Sequence, residues 1–471
     1  MSGASAQIHD ARVRSLGGRP ARGGRFVLYW MQQSQRASSN HALEYAVQRA
    51  NALGLPVRVG FGLTDDYPEA TWRHLHFMLE GLVETAAALA ARGIPFVLRH
   101  GSPPAVALAL ADGAAELVCD RGYLRHQRRW REEVAAAAPC PVTQVESDVV
   151  VPSAAASTRA EIGARTLRPR IARRLDEFLV PLKPTPLVVR GGVATAGGVA
   201  LDDVELALRG LRVDRSVAPV SPWFRGGTSE ASRRLAAFAR DTLPRYASER
   251  SQPEGDAVSH LSMYLHFGQV SPIDVALAVR DAGAGLGQLE ESAAKFVEEL
   301  VVRRELGINF VTTTEAYDTW GAVPAWARAT LARHAADPRP AVYSRDQLAE
   351  AATADPYFNA AMREMRFTGY LHNQMRMYWG KKILEWTADP ETAHATALAL
   401  NNRYLLDGRD PSSFANVGWI FGLHDRPWPE RPIFGTVRTM TARGLERKSD
   451  IAAYVDAVNR RVADASGAAS P

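Results

Sequence analysis

Cysteine is all but missing from this 471-residue chain, with Cys119 and Cys140 the only two. Two thiols cannot build a disulfide framework or a Cys-rich zinc site, and they suit a reducing, cytoplasmic interior. Lysine is almost as scarce: five lysines among 56 basic residues leave 51 arginines, a bias that abundant alanine ties as readily to genome composition as to polyanion binding. No stretch approaches the roughly 18 apolar residues of a membrane span, so no membrane partner is expected. Residues 1–24 lack the apolar centre of a secretory signal and read as a disordered tail. No G-x-G-x-x-G follows the first apolar run, so the dinucleotide fingerprint is missing where an NAD-binding sheet would carry it. His334 and His424 have no partners at metal-ligand spacing; they are assigned to structure or surface, and no metal is expected.

What remains has the proportions of a globular enzyme: 46% hydrophobic and 23% charged residues, with a net charge of +5 that leans mildly toward polyanions. The length exceeds the roughly 250–300 residues one core supports and predicts two domains. Apolar β-rich runs at 26–30, 57–63, 95–98 and 116–119 alternate with helical periodicity at 40–53 and 72–92. That rhythm predicts an α/β, parallel-sheet, Rossmann-like domain over 25–180. A Pro/Gly/Val-rich linker over 181–227 follows, then an all-α domain over 228–460 and a tail at 461–471.

Candidate chemistry clusters between Tyr246 and Arg438. Trp379 and Trp386 are two helical turns apart, about 10 Å, on nearly one face, a spacing that suits electron hopping and equally suits two core tryptophans. Glu298 and Glu299 sit in a run with little room for two outward carboxylates, so one faces a site or Glu299 pairs with Arg303 at i,i+4. Ser259-His260-Leu261-Ser262 precedes an apolar helix and reads as a phosphate-binding helix start or a plain serine cap. Asp407-Gly408-Arg409-Asp410-Pro411 is a turn by composition; Arg376, Asp407 and Arg409 form either an ion-pair cluster around a polar cofactor or a solvated turn.

These strings occur in a recognisable order. Tyr29-Trp30-Met31-Gln32, Leu265-His266-Phe267-Gly268-Gln269, Glu298 to Leu306, Met375-Arg376-Met377-Tyr378-Trp379, Lys381 to Trp386, Leu406 to Pro411 and His424-Asp425-Arg426 resemble the class II cyclobutane-pyrimidine-dimer photolyases. The resemblance implies a helical domain holding a U-shaped FAD. Tyr246, Arg250, Ser259, Leu261 and Ser262 would contact its phosphates and nearby groups. Arg376, Asp407, Arg409 and Asp410 would line the flavin side, and Asn401 would face flavin N5. It further implies light-driven, redox-neutral repair of UV-damaged DNA, in which excited FADH⁻ lends an electron to a flipped-out dimer. Glu299, protonated or strongly hydrogen-bonded by virtue of burial, would stabilise the dimer's radical anion. Met377 and Trp419 would pack the flipped bases and Asn373 would add an amide nearby. Trp379 and Trp386 would carry electrons, and Arg426, Arg431 and Arg438 would meet phosphates. A monomer is expected.

The chain departs from that pattern at Phe358, which stands where the family's electron relay usually has a tryptophan. A bypass through Tyr357, Tyr378 or Trp386, or slow photoreduction, is expected in consequence. The string Asp120-Arg121-Gly122-Tyr123-Leu124 departs from the segment associated with a deazaflavin antenna, which leaves the antenna chromophore open. The competing reading is a cryptochrome-like blue-light sensor that keeps the flavin and signals through a partner.

Overall fold

The computed structural model describes residues 7–191, 198–201, 203–285 and 287–467. Six strands form one sheet: β1 (Val13–Leu16), β2 (Phe26–Trp30), β3 (Val57–Leu63), β4 (Phe96–His100), β5 (Ala114–Asp120) and β6 (Val142–Val145), in the spatial order β1-β6-β5-β2-β3-β4. All neighbours are parallel except β1, which runs antiparallel to β6. β2 and β5 are buried at every position because helices cover both faces of the sheet: β2 is apolar throughout, and β5 is apolar except for the buried carboxylates of Glu116 and Asp120. The helix His41–Leu53 begins where Asn40 caps the Leu43 N–H at 3.0 Å and ends at Gly54 in the left-handed region. After β6 the described residues contain helices, turns and isolated bridges, as the loss of period-two patterning predicts.

The sheet's carboxyl end positions the helical half. Asp120, closing β5, accepts the Gln32, Gln33 and Ser34 N–H groups at 3.0 Å each and the Tyr29 hydroxyl at 2.8 Å, fixing the loop after β2. From that loop Arg36 donates to Asp148 at 2.7 Å and to the Gly268 carbonyl at 2.9 Å. Gly268 has φ +64°, and a Cβ there would stand 2.1 Å from the Gln33 carbonyl oxygen, so only glycine allows this approach. One apolar core is continuous from Val27 on the sheet to Phe296 and Leu306 in the helices, and a second surrounds Trp379.

Three expected boundaries shift. The tail at 1–24 is not loose over its described part: β1 pairs with β6, Ile8 is buried, and Arg12 donates to the carbonyls of Glu146, Val149 and Val150. This edge strand has only half-buried ends, Val13 and Leu16, so its hydrophobic pattern is weak. Within the linker at 181–227, Val204–Arg209 is a helix capped by Asp203, and Asp214 bridges to Thr71; residues 192–197 and 202 of it lie outside the described residues. At the C-terminus the helix Ile451–Gly467 runs through the start of the expected tail, and Arg461 on it is ion-paired; residues 468–471 lie outside the described residues.

Candidate functional site

The helix Gln288–Val297 passes without a break through a π-helical turn, Glu298–Arg303, into Arg304–Thr313. A wider turn of this kind redirects side chains, and such turns gather at functional sites. It separates the two glutamates: Glu298 pairs outward with Arg168 at 2.7 Å, while Glu299 faces a cavity and accepts from Arg250 at 3.0 Å. The i,i+4 pair of Glu299 with Arg303 does not form; Arg303 instead lies 3.9 Å from Glu298. The side chain of Glu299 is 39% exposed, so the burial on which its protonated form was expected is not met.

That cavity measures about 350 Å³, within the roughly 300–1,000 Å³ of small-molecule sites. Two stretches of the chain wall it: 246–299 supplies Tyr246, Arg250, Ser259, Leu261, Ser262 and Glu299, and 373–410 supplies Asn373, Arg376, Asp407 and Asp410. Sequence neighbours explain little of this; the segments meet because the turn at Asp407–Asp410 packs behind the helix Asn373–Trp386. Arg376 donates to both oxygens of Asp407 at 2.9 and 3.1 Å, which aims the guanidinium along the wall. Asp410 caps the helix Pro411–Ile420 through the Ser412 N–H at 2.8 Å and lies 3.4 Å from the His266 ring nitrogen. Burial alone would raise the Asp410 carboxyl; His266 and Arg304 outweigh it and hold the group below the usual range. At the helix Ser262–His266, Leu261 and not a serine stands at the N-cap, and no side chain caps the turn. Ser259 and Ser262 therefore line the cavity and are not spent as caps.

Asn401 sits just behind this wall, fully buried. Its amide donates to Ser413 at 2.6 Å and Asn402 at 3.0 Å, while its Oδ1 meets no protein partner. Arg376 Nε and Ser412 Oγ are buried and unpartnered in the same way. Leaving such atoms unsatisfied costs about 1–3 kcal/mol each, so the wall is built for a ligand with polar atoms of its own. Ser413 belongs to the wall although nothing in its local sequence marks it, since twelve residues and a turn separate it from Asn401. Tyr370 also lines the cavity without a mark in the sequence, and so does Arg303, which the sequence suggested only as a partner of Glu299.

Other expected residues lie elsewhere. Arg409 has φ +68° and turns away, its guanidinium 5.5 Å from the Tyr67 ring, where it borders two smaller cavities against the sheet; the ion-pair cluster contains Arg376 and Asp407 without it. Met377 is buried in the second core and does not line the large cavity. Trp419 is half-buried between two cations, with Lys381 Nζ 5.3 Å and the Arg438 guanidinium 5.4 Å from its ring. Arg438 also lies 4.9 Å from the Trp428 ring and Arg426 5.3 Å from it, so cations and indoles alternate along this face. Arg426 and Arg431 are exposed, and among the described residues neither they nor Arg438 has a carboxylate at ion-pair distance. Lys381 is fully buried, donates to the Ile420 carbonyl, and burial pulls its ammonium down to about 7.

Trp379 is fully buried with its indole N–H unpartnered, and Trp386 packs in the same core. Phe358 lies edge-on to Trp386 at 5.2 Å, with Tyr343 on Trp386 at the same separation. The Tyr378 hydroxyl donates to Asp355 at 2.5 Å, and Tyr357, 6.5 Å from it between ring centres, donates to Glu446 at 2.9 Å. Asp120 is occupied in holding the loop after β2, and Tyr123 and Leu124 are core residues.

Comparison with known proteins agrees with this architecture. Residues 27–187 match the family model described as DNA photolyase. A deoxyribodipyrimidine photo-lyase of Methanothermobacter thermautotrophicus is 47% identical over 452 residues, covering 96% of this chain and 98% of that one. Among solved structures, a bacterial class III photolyase from Agrobacterium tumefaciens superposes with a TM-score of 0.73 at 18% identity, covering 93% of this chain and 87% of that one. An archaeal photolyase from Sulfolobus tokodaii, solved with two FAD molecules, superposes with a TM-score of 0.66 at 16% identity over 92% and 89%. With nearly half of its residues shared along almost its whole length with the archaeal photo-lyase, this chain belongs to the DNA photolyase family.

Proposed function

We propose that this chain is a class II cyclobutane-pyrimidine-dimer photolyase that holds FAD in the large cavity and repairs UV-damaged DNA in light. The observation that carries the reading is the convergence of two unlike walls on one cavity. One offers Arg250, Ser259 and Ser262 to an anionic group; the other offers Arg376, the Asp407 and Asp410 carboxylates and, behind Ser413, the Asn401 amide to a polar ring. The unpartnered atoms Arg376 Nε and Asn401 Oδ1 fit a ligand with both acceptors and donors, as a flavin has. When bound and reduced, the flavin supplies on excitation the electron that opens the cyclobutane ring. The protein's share is to hold, orient and exclude water.

Glu299, at the same cavity, is the carboxylate available to a dimer entering it, and Arg250 balances its charge. Arg426, Arg431 and Arg438 supply sequence-independent attraction to phosphates, and Trp419 and Trp428 offer faces on which bases stack. For the supply of reduced flavin, the tyrosines near Phe358 are the bypass this reading favours: both hydroxyls already donate to carboxylates that can take the proton. The test is incubation of chemically reduced protein with a dimer-containing oligonucleotide in light and in darkness. Loss of dimer in light alone is expected; no loss in either condition, with flavin bound, would overturn repair in favour of a sensor.

A further inference from the structure

The wall that carries Ser259 and Ser262 contains two non-glycine residues in the left-handed region, Asp256 at φ +46° and His260 at φ +52°. Such a backbone is strained for a residue with a side chain and persists only where its surroundings over-determine it. The surroundings here come from the far end of the chain. Arg461, on the helix Ile451–Gly467, donates through one nitrogen to Glu364 at 2.8 Å and lies with another 3.4 Å from Asp256. Glu364 is buried and also accepts the Tyr454 hydroxyl at 2.7 Å; burial pushes its carboxyl up to about 7 against the opposing pull of Tyr454 and Arg461. Asp256 in turn meets the His260 ring at 3.1 Å, and that ring packs edge-on to Tyr370 at 4.5 Å. Both His260 and Tyr370 line the cavity. A second tie runs parallel to the first, from the Asp450 N–H to Glu254 at 2.9 Å.

We propose that Arg461 is a positioning residue for the cavity: by bridging Glu364 and Asp256 it holds Asp256 and His260 in their left-handed conformation and so sets the wall that meets the anionic part of the ligand. The assignment of that ligand as FAD rests on the function proposed above. A guanidinium suits the task because its rigid planar fork meets the two carboxylates through separate nitrogens in a fixed geometry, whereas an ammonium is a point charge on a flexible stem. Tyr454 does not touch Asp256, so it separates loop positioning from the general stability of the buried Glu364.

The experiment compares full-length Arg461→Met, Arg461→Lys and Tyr454→Phe with the parent. Three readouts are taken: hydrogen exchange of the 257–261 amides without flavin, FAD dissociation by recovery of flavin fluorescence, and the urea midpoint. Arg461→Met is expected to speed exchange at 257–261 and FAD release about tenfold, with Arg461→Lys intermediate. Tyr454→Phe is expected to lower the urea midpoint while leaving both loop readouts at the parental value. Unchanged exchange and release in Arg461→Met, or equal changes in Tyr454→Phe, would overturn the proposal. If Arg461→Met does not fold, Arg461→Lys against Tyr454→Phe decides it on the same criteria. Faster loop exchange in Arg461→Met, with a parent that takes up no FAD, would leave the positioning role standing and remove the ligand assignment instead.

Discussion

Glu299 and Arg250 stand 3.0 Å apart at the cavity, and both side chains line it. Glu299→Gln keeps the shape, removes the charge and frees Arg250, so flavin content is expected to hold while dimer loss per light dose falls about 10²-fold, the usual cost of removing one preorganised group. A variant that repairs as fast as the parent would show that Glu299 does not meet the lesion. Lys381 makes a different statement. Among the described residues it is a buried ammonium without a carboxylate at ion-pair distance, with its pKa pulled by burial from 10.5 to about 7. Between those values the unfolded chain binds the proton and the folded chain does not, so folding stability rises with pH across that window and the penalty is greatest below about 7. Lys381→Met is therefore expected to flatten the rise of Tm between about pH 7 and 10 and to raise Tm below pH 7; a parallel pH profile in the variant would contradict the buried charge. Both residues stand in the sequence beside familiar strings, yet neither partner does: Arg250 is 49 positions from Glu299, and Ile420 is 39 from Lys381.

Single side chains also tie whole elements together. Arg73, on the helix Trp72–Ala91 beside the sheet, is buried and donates to the carbonyls of Ala218, Met365, Arg366 and Tyr404. It thereby closes the ends of the helices Pro356–Thr368 and Pro390–Tyr404, immediately before Tyr370 and Asp407 in the cavity wall. Burial pulls this guanidinium down to about 9, so the cluster of carbonyls is what keeps it in place. Arg73→Met strands those carbonyls in the interior and is expected to cost about 3 kcal/mol, read from the urea midpoint at unchanged slope. Gly268→Ala strikes the other junction: a Cβ 2.1 Å from the Gln33 carbonyl, at φ +64°, must push the loop after β2 away from the helix Ser262–His266. A loss of about 2 kcal/mol is expected, again from urea unfolding. Hydrophobic period marks the helices themselves well, as at Pro356–Thr368, where Phe358, Ala361, Met362 and Met365 are buried at the 3.6-residue repeat. It cannot mark the π turn Glu298–Arg303, which differs from an α-helix by one residue's worth of winding and shares its apolar pattern.

Across the whole molecule the net charge of +5 says little, because it does not locate the charge; Arg426, Arg431 and Arg438 have no ion-pair partner among the described residues, and Arg426 and Arg438 flank the Trp428 ring. Binding of dimer-containing DNA is expected to weaken with salt, and replacing any one of the three by glutamine should reduce the slope of log K against log salt by about 1. Slopes in the single variants equal to the parent's would place the DNA elsewhere. What the sequence determined by itself is the alternation of strands and helices, the change to all-helical structure after β6, and part of the cavity's lining, from which Tyr370 and Ser413 were missing and to which Arg409 and Met377 do not belong. Those follow from local periodicity and from ordered motifs, both of which are properties of neighbouring positions. Only the tertiary structure decided that β1 joins the sheet edge, that Arg409 turns to Tyr67 and leaves Arg376 to pair alone with Asp407, and that Arg461 braces a loop two hundred positions earlier. These outcomes depend on long-range hydrogen bonds to buried carbonyls and carboxylates. Such partners are chosen by the packing of the folded chain and leave no period in the sequence.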